Sequence, residues 1–498
     1  QAWSTFQTGV NPGKHGVFDF NRNDRSSYQV HPINATMIKS PRIWDILSDR
    51  GYSCGVMNML FTFPPHPING FIVTGKDTPA GSLSFAYPAD LGKAIVDFEP
   101  RSKPDPFAEI SMGRHFLKAI PGRLFRQERV NQFLLERHPA DFSVSLFAMP
   151  DVLHHLFWKD MDATHPQHDA RKAARHRPLI EACFGALDRI VGERMAGLGQ
   201  NDTLFIMSDH GGGPLLKTLQ LNRWLRQEGL FTLKRKQGSR TSLLRVGLRQ
   251  LARKVYLSLL RFDRWGLRRR FFYMRYRRRR LSRYAAVDWA RTQAYAGTLG
   301  EHGIHCNVKG REGHGSVEPG QEYEDIRDLL IRKLSDLKDP ATGEHVVNHV
   351  HRREDVYSGP GIEHAPDIVI DFGDLPFEPG DALDGGDIVE NISSTALSGM
   401  HRPKGILIAV GPHIRQGAET DAAAIQDLAP TILHSLGEDV PPWMDGRVLT
   451  EWFDEEYVRD HPVRISQKET RNPEVCEVAL SEAEEAEIQD RLRDLGYL

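Results

Sequence analysis

Sulfur is scarce in this chain of 498 residues: its four cysteines, Cys54, Cys183, Cys306 and Cys476, are widely scattered, with no Cys-x-x-Cys pair. That spacing argues against a disulfide framework and against a sulfur-ligated metal, and a reducing, cytoplasmic compartment is the simplest expectation. Long apolar runs are missing as well. No run of about 18 apolar residues occurs, so no membrane-spanning helix is expected. Neither sign of charge dominates: 64 Lys and Arg against 66 Asp and Glu leave a net charge of −2. The whole protein therefore carries no polyanion-binding signature. Internal repeats are absent. The chain opens on Gln1 rather than Met; an N-terminally incomplete sequence is expected, and a signal peptide is not assessable. What is present is ample core material, with 40% hydrophobic residues and a length that allows about two to four domains.

Short apolar runs alternate with helical stretches. Strands are expected at Cys54–Met57, Phe142–Ala148, Thr203–Met207, Ile368–Ile370 and Ile406–Val410, and helices between them, for example over Pro178–Met195 and Tyr323–Leu337. This alternation predicts an α/β fold, a mostly parallel sheet sandwiched by helices. Segment 58–80, with Phe63-Pro-Pro-His-Pro67, reads as a long functional loop.

Chemistry concentrates at three places. The run Thr203–Met207 ends in Ser208-Asp-His-Gly-Gly-Gly-Pro214, a buried strand delivering two metal-type ligands at its C-terminal end, where ligands bind in open α/β sheets. Its glycines allow backbone to approach a bound ion or anion closely. Asp151 and His155 follow the strand Phe142–Ala148; residues i and i+4 share a helix face, so both can reach one ion. His154 lies about 100° round that helix and reads as a spectator. His401, in Ser398-Gly-Met-His-Arg-Pro-Lys-Gly405, precedes Ile406–Val410 and gains meaning only with the other two sites, because the chain holds 22 His. Asp151, His155, Asp209, His210 and His401 form an oxygen/nitrogen set without sulfur, which suits zinc or manganese and leans to zinc. Five ligands are too many for one tetrahedral ion with an open position. They fit two ions about 4 Å apart, an arrangement that clamps attacking and leaving oxygens in phosphoryl transfer.

The order Asp-x-x-x-His, Ser-Asp-His-Gly, Gly-x-His resembles the alkaline phosphatase superfamily, and within it the type I phosphodiesterase/nucleotide pyrophosphatase family. Ala2-Trp-Ser-Thr-Phe-Gln-Thr-Gly-Val-Asn-Pro-Gly-Lys-His-Gly16 resembles the segment just after that family's nucleophile. Asp427-Leu-Ala-Pro-Thr-Ile-Leu433 and Met444-Asp-Gly446 resemble a late helix and turn shared with sulfatases and phosphomutases. The likeness covers about residues 1–225 and 285–450. It implies an alkaline-phosphatase-like catalytic core in those residues, an Arg-rich helical insertion at 226–284, and a charged tail and helix at 451–498. It also implies one ion held by Asp151, His155 and His401, and another by Asp209, His210, an aspartate and the nucleophile. The family's nucleophilic Thr or Ser stands four residues before the equivalent of Trp3. The catalytic residue is therefore expected two residues before Gln1, and the aspartate earlier still. Ser4, Thr5 and Thr8 are the only nearby hydroxyls, and the register argues against each.

The expected function is metal-dependent hydrolysis of phosphate esters, of phosphodiester or nucleotide pyrophosphate bonds, through a two-metal site and a covalent phosphoryl-enzyme. Three alternatives stand: a cofactor-independent phosphomutase, a sulfatase, and a catalytically silent binding protein. Segment 232–284 stands apart. Leu244, Leu248, Leu251, Val255 and Leu259 recur at helical spacing, and Arg261–Arg283 holds eleven Arg with Asp263 as its one acid, interleaved with Trp265, Phe271, Phe272, Tyr273 and Tyr276. It is read as a solvated helical insertion packed by its apolar stripe, as a helix on an anionic membrane surface, or, least favoured, as a nucleic-acid grip. The expected partner otherwise is a small-molecule phosphoester. Residues 480–498 read as a charged amphipathic helix for docking or oligomerisation.

Overall fold

A computed structural model describes residues 1–79, 82, 84–99, 114–234, 284–297, 301–380, 382–392, 397–420, 423–467 and 480–494. The Arg-rich stretch 244–283 lies outside the described residues, as does Cys476. The chain folds as α/β. Its central strand is Cys54–Met59, buried along nearly its whole length. It pairs in parallel with Gly70–Thr74 on one side and Phe142–Ser145 on the other, Cys54 lying opposite both Gly70 and Phe142. Strands buried on both faces read as near-continuous apolar sequence, and Cys54-Gly-Val-Met57 supplies it ahead of the half-buried Asn58. Ala86–Tyr87 closes that edge antiparallel to Gly70–Thr74. Gly70 sits at φ +128°, and a Cβ there would lie 2.1 Å from the Cys54 carbonyl oxygen. Segment 58–80, expected as a loop, therefore contains a buried strand; the prolines at 64, 65 and 67 end just short of it and masked its signal.

Helices cover both faces. On one, Phe6, the helix Ile43–Asp49 and the helix Leu428–Ser435 pack over Cys54, Val56 and Phe142. On the other, Ala89–Phe98 and Arg114–Arg137 pack over Met57, Phe71 and Val73, and beyond them Met149–Met161 packs with Arg114–Arg137 and Ala170–Ala196. The last of these begins two turns before Pro178. Asp169 caps it, accepting from the Arg171 and Lys172 amides, so Pro178 costs one interior hydrogen bond and does not mark the helix start. The expected helix Tyr323–Leu337 is observed at Gln321–Ser335.

Two further strand pairs carry the motifs. Leu204–Met207 pairs antiparallel with Leu407–Val410, and Gly211–Pro214 with Gly399–Arg402. Phe142–Ser145 and Leu204–Met207 contribute to one apolar layer, yet each pairs on one side only among the described residues. A second core gathers around an antiparallel sheet ordered Ala294–Ala296, Gly303–Cys306, Ile368–Asp371, His349–Arg352, backed by Gln321–Ser335. The C-terminal helix Glu482–Asp494 docks on the hairpin Asn21–Asp24/Gln29–Pro32. Gln489 donates to Asn21 and to the Val30 carbonyl, and Ile488 is buried. Cys54, Cys183 and Cys306 are buried free thiols. Among the described residues, no helix is long and apolar enough to cross a membrane.

Candidate metal centre

Asp151 stands in the first turn of the helix Met149–Met161, with Pro150 beside it at the N-terminus. The helix dipole favours a carboxylate there. One turn later His155 is buried, its Nε2 3.2 Å from Asp151 Oδ1. His155 Nδ1 lies 2.9 Å from the Gly399 carbonyl. The carbonyl can only accept, so Nδ1 carries the proton and Nε2 is aimed at Asp151. His210 is held the same way: its Nδ1 donates to the Gly211 carbonyl at 2.9 Å, and its Nε2 lies 3.4 Å from Asp209 and 3.8 Å from Asp151. Backbone carbonyls that fix the far nitrogen of an imidazole are a recurrent support of metal-binding histidines.

His401 reaches the same point from the ribbon Gly399–Arg402. Its Nε2 lies 3.0 Å from His155 Nε2 and 3.5 Å from Asp151 Oδ1, and its ring packs on that of His210 with centroids 3.7 Å apart. One ligand atom each from Asp151, His210 and His401 falls within a 4.8 Å cluster. All five residues singled out in the sequence therefore meet in one place, across a separation of 250 residues between Asp151 and His401. Asp151 Oδ2 is buried with no hydrogen-bond partner, an acceptor without a cation. Two convergent imidazole nitrogens and an orphaned carboxylate oxygen fit a divalent ion.

The electrostatics agree. Burial opposes ionisation of Asp151, but the His155 charge and hydrogen bonds to His155 and His401 outweigh it and hold the carboxyl well below its usual range. Burial works against protonation of His155 too, and Asp151 reverses it. Burial, with Asp151 nearby, pushes Asp209 up. His401 is lowered to about 4, mainly by burial, so at neutral pH it offers a lone pair.

Glycines bring the ribbon close, but to a helix. A Cβ on Gly399 would lie 2.3 Å from the His154 carbonyl oxygen, and one on Gly212 would lie 2.8 Å from His154 Nδ1. The strand pair thus lies directly on the helix bearing Asp151 and His155, and His154 is a packing residue set against Trp158 and Phe184. Gly399→Ala should push the ribbon away, cost about 1–3 kcal/mol as an overpacked contact does, and weaken zinc binding through His401. Urea unfolding and equilibrium dialysis check both effects; unchanged dialysis would mean that the ribbon does not set the position of His401.

Ser4, Thr5 and Thr8 are all buried on the helix Ala2–Thr8. Thr8 donates to the Ser4 carbonyl. Thr5 Oγ1 lies 3.0 Å from His15 Nε2, the spacing of a nucleophile and its base. The tautomer removes that reading: His15 Nδ1 accepts from the Val17 amide, so its proton is on Nε2 and is donated to Thr5. His15 orders the loop and does not activate the hydroxyl. Burial lowers its pKa to about 3. Because this lies below the unfolded value near 6.5, the unfolded chain takes up the proton first as pH falls. The stabilisation is complete above about pH 6.5 and lost progressively toward about pH 3, at a slope approaching 1.4 kcal/mol per pH unit. Urea midpoints of the native protein should therefore fall more steeply between those pH values than midpoints of His15→Gln. Parallel curves would contradict the assignment.

A cavity of about 890 Å³ opens at the cluster and is lined by Gln1, Thr5, Asp209, His210 and His401. It is also lined by Asp19, Glu301, His302 and Glu378, which sequence reading passed over. One signal was present: Glu301-His-Gly303 repeats the acid-His-Gly pattern of Asp209-His-Gly211 beside a strand.

The sequence profile of the family described as "Type I phosphodiesterase / nucleotide pyrophosphatase" matches residues 1–377. No curated protein sequence matches the chain. Among solved structures, human ectonucleotide pyrophosphatase/phosphodiesterase 5 is similar at 13% identity, covering 92% of this chain and 86% of its own, with a TM-score of 0.42. The murine protein, in an inactive variant complexed with AMP, has 13% identity, 92% and 86% coverage and a TM-score of 0.40. Phosphonoacetate hydrolase from Sinorhizobium meliloti 1021, complexed with phosphonoacetate, has 10% identity, 85% and 81% coverage and a TM-score of 0.45.

Proposed function

The chain belongs to the type I phosphodiesterase/nucleotide pyrophosphatase family, and from that premise we propose that it is built to hydrolyse phosphodiester or pyrophosphate bonds of small molecules at a two-zinc centre. Asp151, His155 and His401 would hold one ion, and Asp209 and His210 would contribute to the other; manganese is the alternative metal. One observation carries the reading: the donor set converges on a cavity among whose described lining residues there is no Lys or Arg. A phosphate at the histidine cluster meets none of those side chains among the described residues, so its charge calls for ions. Bound there, divalent ions would stabilise charge on the attacking and leaving oxygens and bring the pKa of a bound water toward about 7.

The chain's own groups orient that chemistry. The Gly399 and Gly211 carbonyls fix His155 and His210, and Asp151 links them to His401. The nucleophile is proposed to be a Thr or Ser two residues before Gln1. Gln1 itself lines the cavity. The preceding strand, carrying the family aspartate, would fit beside Phe142–Ser145 and Leu204–Met207, whose outer edges are unpaired among the described residues. The hydroxyl oxygen would bond to phosphorus as the alcohol leaves with a proton, and water would then cleave the phosphoryl-enzyme and restore the hydroxyl.

The domain division stays as proposed: a core at 1–225 and 285–450, an Arg-rich insertion at 226–284 and a C-terminal tail and helix at 451–498, with an anionic membrane surface as a partner to test through the insertion. Product analysis tests the function. A polypeptide carrying the upstream strand, stripped with chelator and reloaded with zinc, should release nitrophenol from bis(4-nitrophenyl) phosphate and spare 4-nitrophenyl sulfate. Preference for the sulfate would make it a sulfatase; phosphate migration within a phosphosugar would make it a mutase.

A further inference from the structure

Around Gly16 the fold gathers Arg22, Arg25, Lys39 and His364, none of which lines the cavity of the metal cluster. Gly16 is left-handed at φ +77°, and a Cβ there would lie 3.7 Å from an Arg22 guanidinium nitrogen and 3.7 Å from Lys39 Cγ. Both side chains therefore flank one glycine. The turn Ile362–His364 closes on the same point: the Gly361 amide donates to the Gly13 carbonyl at 2.7 Å, and a Cβ on Gly361 would lie 2.9 Å from Gly16 Cα. Arg25 joins from the turn of the hairpin Asn21–Asp24/Gln29–Pro32, donating to the Ala365 carbonyl at 3.0 Å. Phe18 and Pro366, two residues from Gly16 and His364, line the cavity, which sets this cluster beside the cavity wall.

Counter-charge is short here. Arg22 is half-buried and donates to the Gly16 carbonyl at 2.9 Å; Lys39 is exposed and donates to the Thr36 carbonyl at 3.5 Å. Neither pairs with a carboxylate among the described residues, whereas Lys14 in the same loop has Asp445. Arg25 reaches Glu312 at 3.8 Å, but Arg311 already binds that carboxylate at 2.9 Å. Asp367, which also feels Arg25, is held by Arg311 and Arg353. Glu363 lies 3.9 Å from His364 with its side chain 72% exposed, a loose pair. A guanidinium carries five donors, so Arg22 spends few of them, and a charge withdrawn from water without a partner is unfavourable. The excess reaches His364: burial, then Arg22, Arg25 and Lys39, push its pKa down against the pull of Glu363.

We infer that Arg22, Arg25, Lys39 and His364 form a site for a compact, doubly charged oxyanion of the phosphate type, separate from the metal cluster. A planar guanidinium fits two oxygens of such an ion, and lysine adds a point charge beside it. A lipid surface suits the cluster less, because Arg22 is half-buried. The site stands whether or not the two-ion reading holds.

Histidine-ring NMR of the 498-residue chain tests it, with the His364 signal identified by its loss in His364→Gln. The probe is sulfate, which keeps both charges across the histidine range, against chloride at matched ionic strength. Sulfate should raise the pH at which His364 titrates by about 1, as an opposite charge within about 6 Å does, and chloride should not. Inorganic phosphate at neutral pH should move the same signal. The readout is local, so an anion at the histidine cluster does not register. Arg22→Gln and, separately, Lys39→Gln should weaken sulfate binding about 10-fold, as loss of a charge-assisted contact does. Without sulfate, each should raise the His364 value, since a repelling cation is gone. Equal responses to sulfate and chloride would overturn the site, and so would a sulfate response kept in both variants. Lys39 is exposed, so Lys39→Gln decides should Arg22→Gln not fold.

Discussion

Asp151→Asn should abolish tight zinc binding while the protein stays folded. Asp151 Oδ1 lies 3.2, 3.5 and 3.8 Å from Nε2 of His155, His401 and His210, so one oxygen links all three imidazoles, and Oδ2 is buried without a partner. The amide keeps the shape and removes the charge. Outer-shell partners of metal ligands are already worth about 10- to 100-fold in affinity, so a ligating carboxylate should cost more than about 100-fold. His154→Gln is the matched control. It is the adjacent histidine, its ring packed against Trp158 and Phe184, and should leave zinc affinity unchanged. Competition with a chromophoric chelator reads both. Equal losses in the two variants would mean that the helix, rather than Asp151, was disturbed.

Adding the upstream strand and its hydroxyl residue ahead of Gln1 should raise turnover of bis(4-nitrophenyl) phosphate by on the order of 10⁴-fold or more, since loss of a covalent nucleophile costs at least that in enzymes that depend on one. The 498-residue chain should bind ester without turning it over. The longer chain should also bind its second ion more tightly, because Asp209 and His210 would gain two more ligands. Thr5 is the competing nucleophile, and the His15 tautomer argues against it: the ring donates to Thr5 instead of accepting from it. Full turnover by the 498-residue chain, lost in Thr5→Ala, would show that the register is wrong.

The convergence of Asp151, His155, Asp209, His210 and His401 was legible because each part carried a local signal. Asp151 and His155 share a helix face by spacing alone. Asp209 and His210 close an apolar run, and His401 opens one. The sheet strands were legible as short apolar runs, though Phe142–Ala148 shortens to Phe142–Ser145. Other features had no local signature. Gly70–Thr74 hides behind Phe63-Pro-Pro-His-Pro67, and the long helix begins at a capping Asp169 in a polar stretch that shows no apolar periodicity. The cavity lining away from the histidines is the clearest case. Asp19 comes from an N-terminal loop, Glu301 and His302 from the approach to Gly303–Cys306, and Glu378 from a strand beside Lys217–Gln220. No spacing rule joins those positions; only the packing of the second core against the first brings them to one cavity.

Five residues are proposed to hold two ions. Diffraction from zinc-soaked crystals, recorded on both sides of the zinc absorption edge, tests it most directly. The predicted result is two anomalous peaks about 4 Å apart, one within bonding distance of Asp151, His155 and His401 and the other of Asp209 and His210. A single peak bound by Asp151, His210 and His401 together, or peaks elsewhere on the protein, would contradict it.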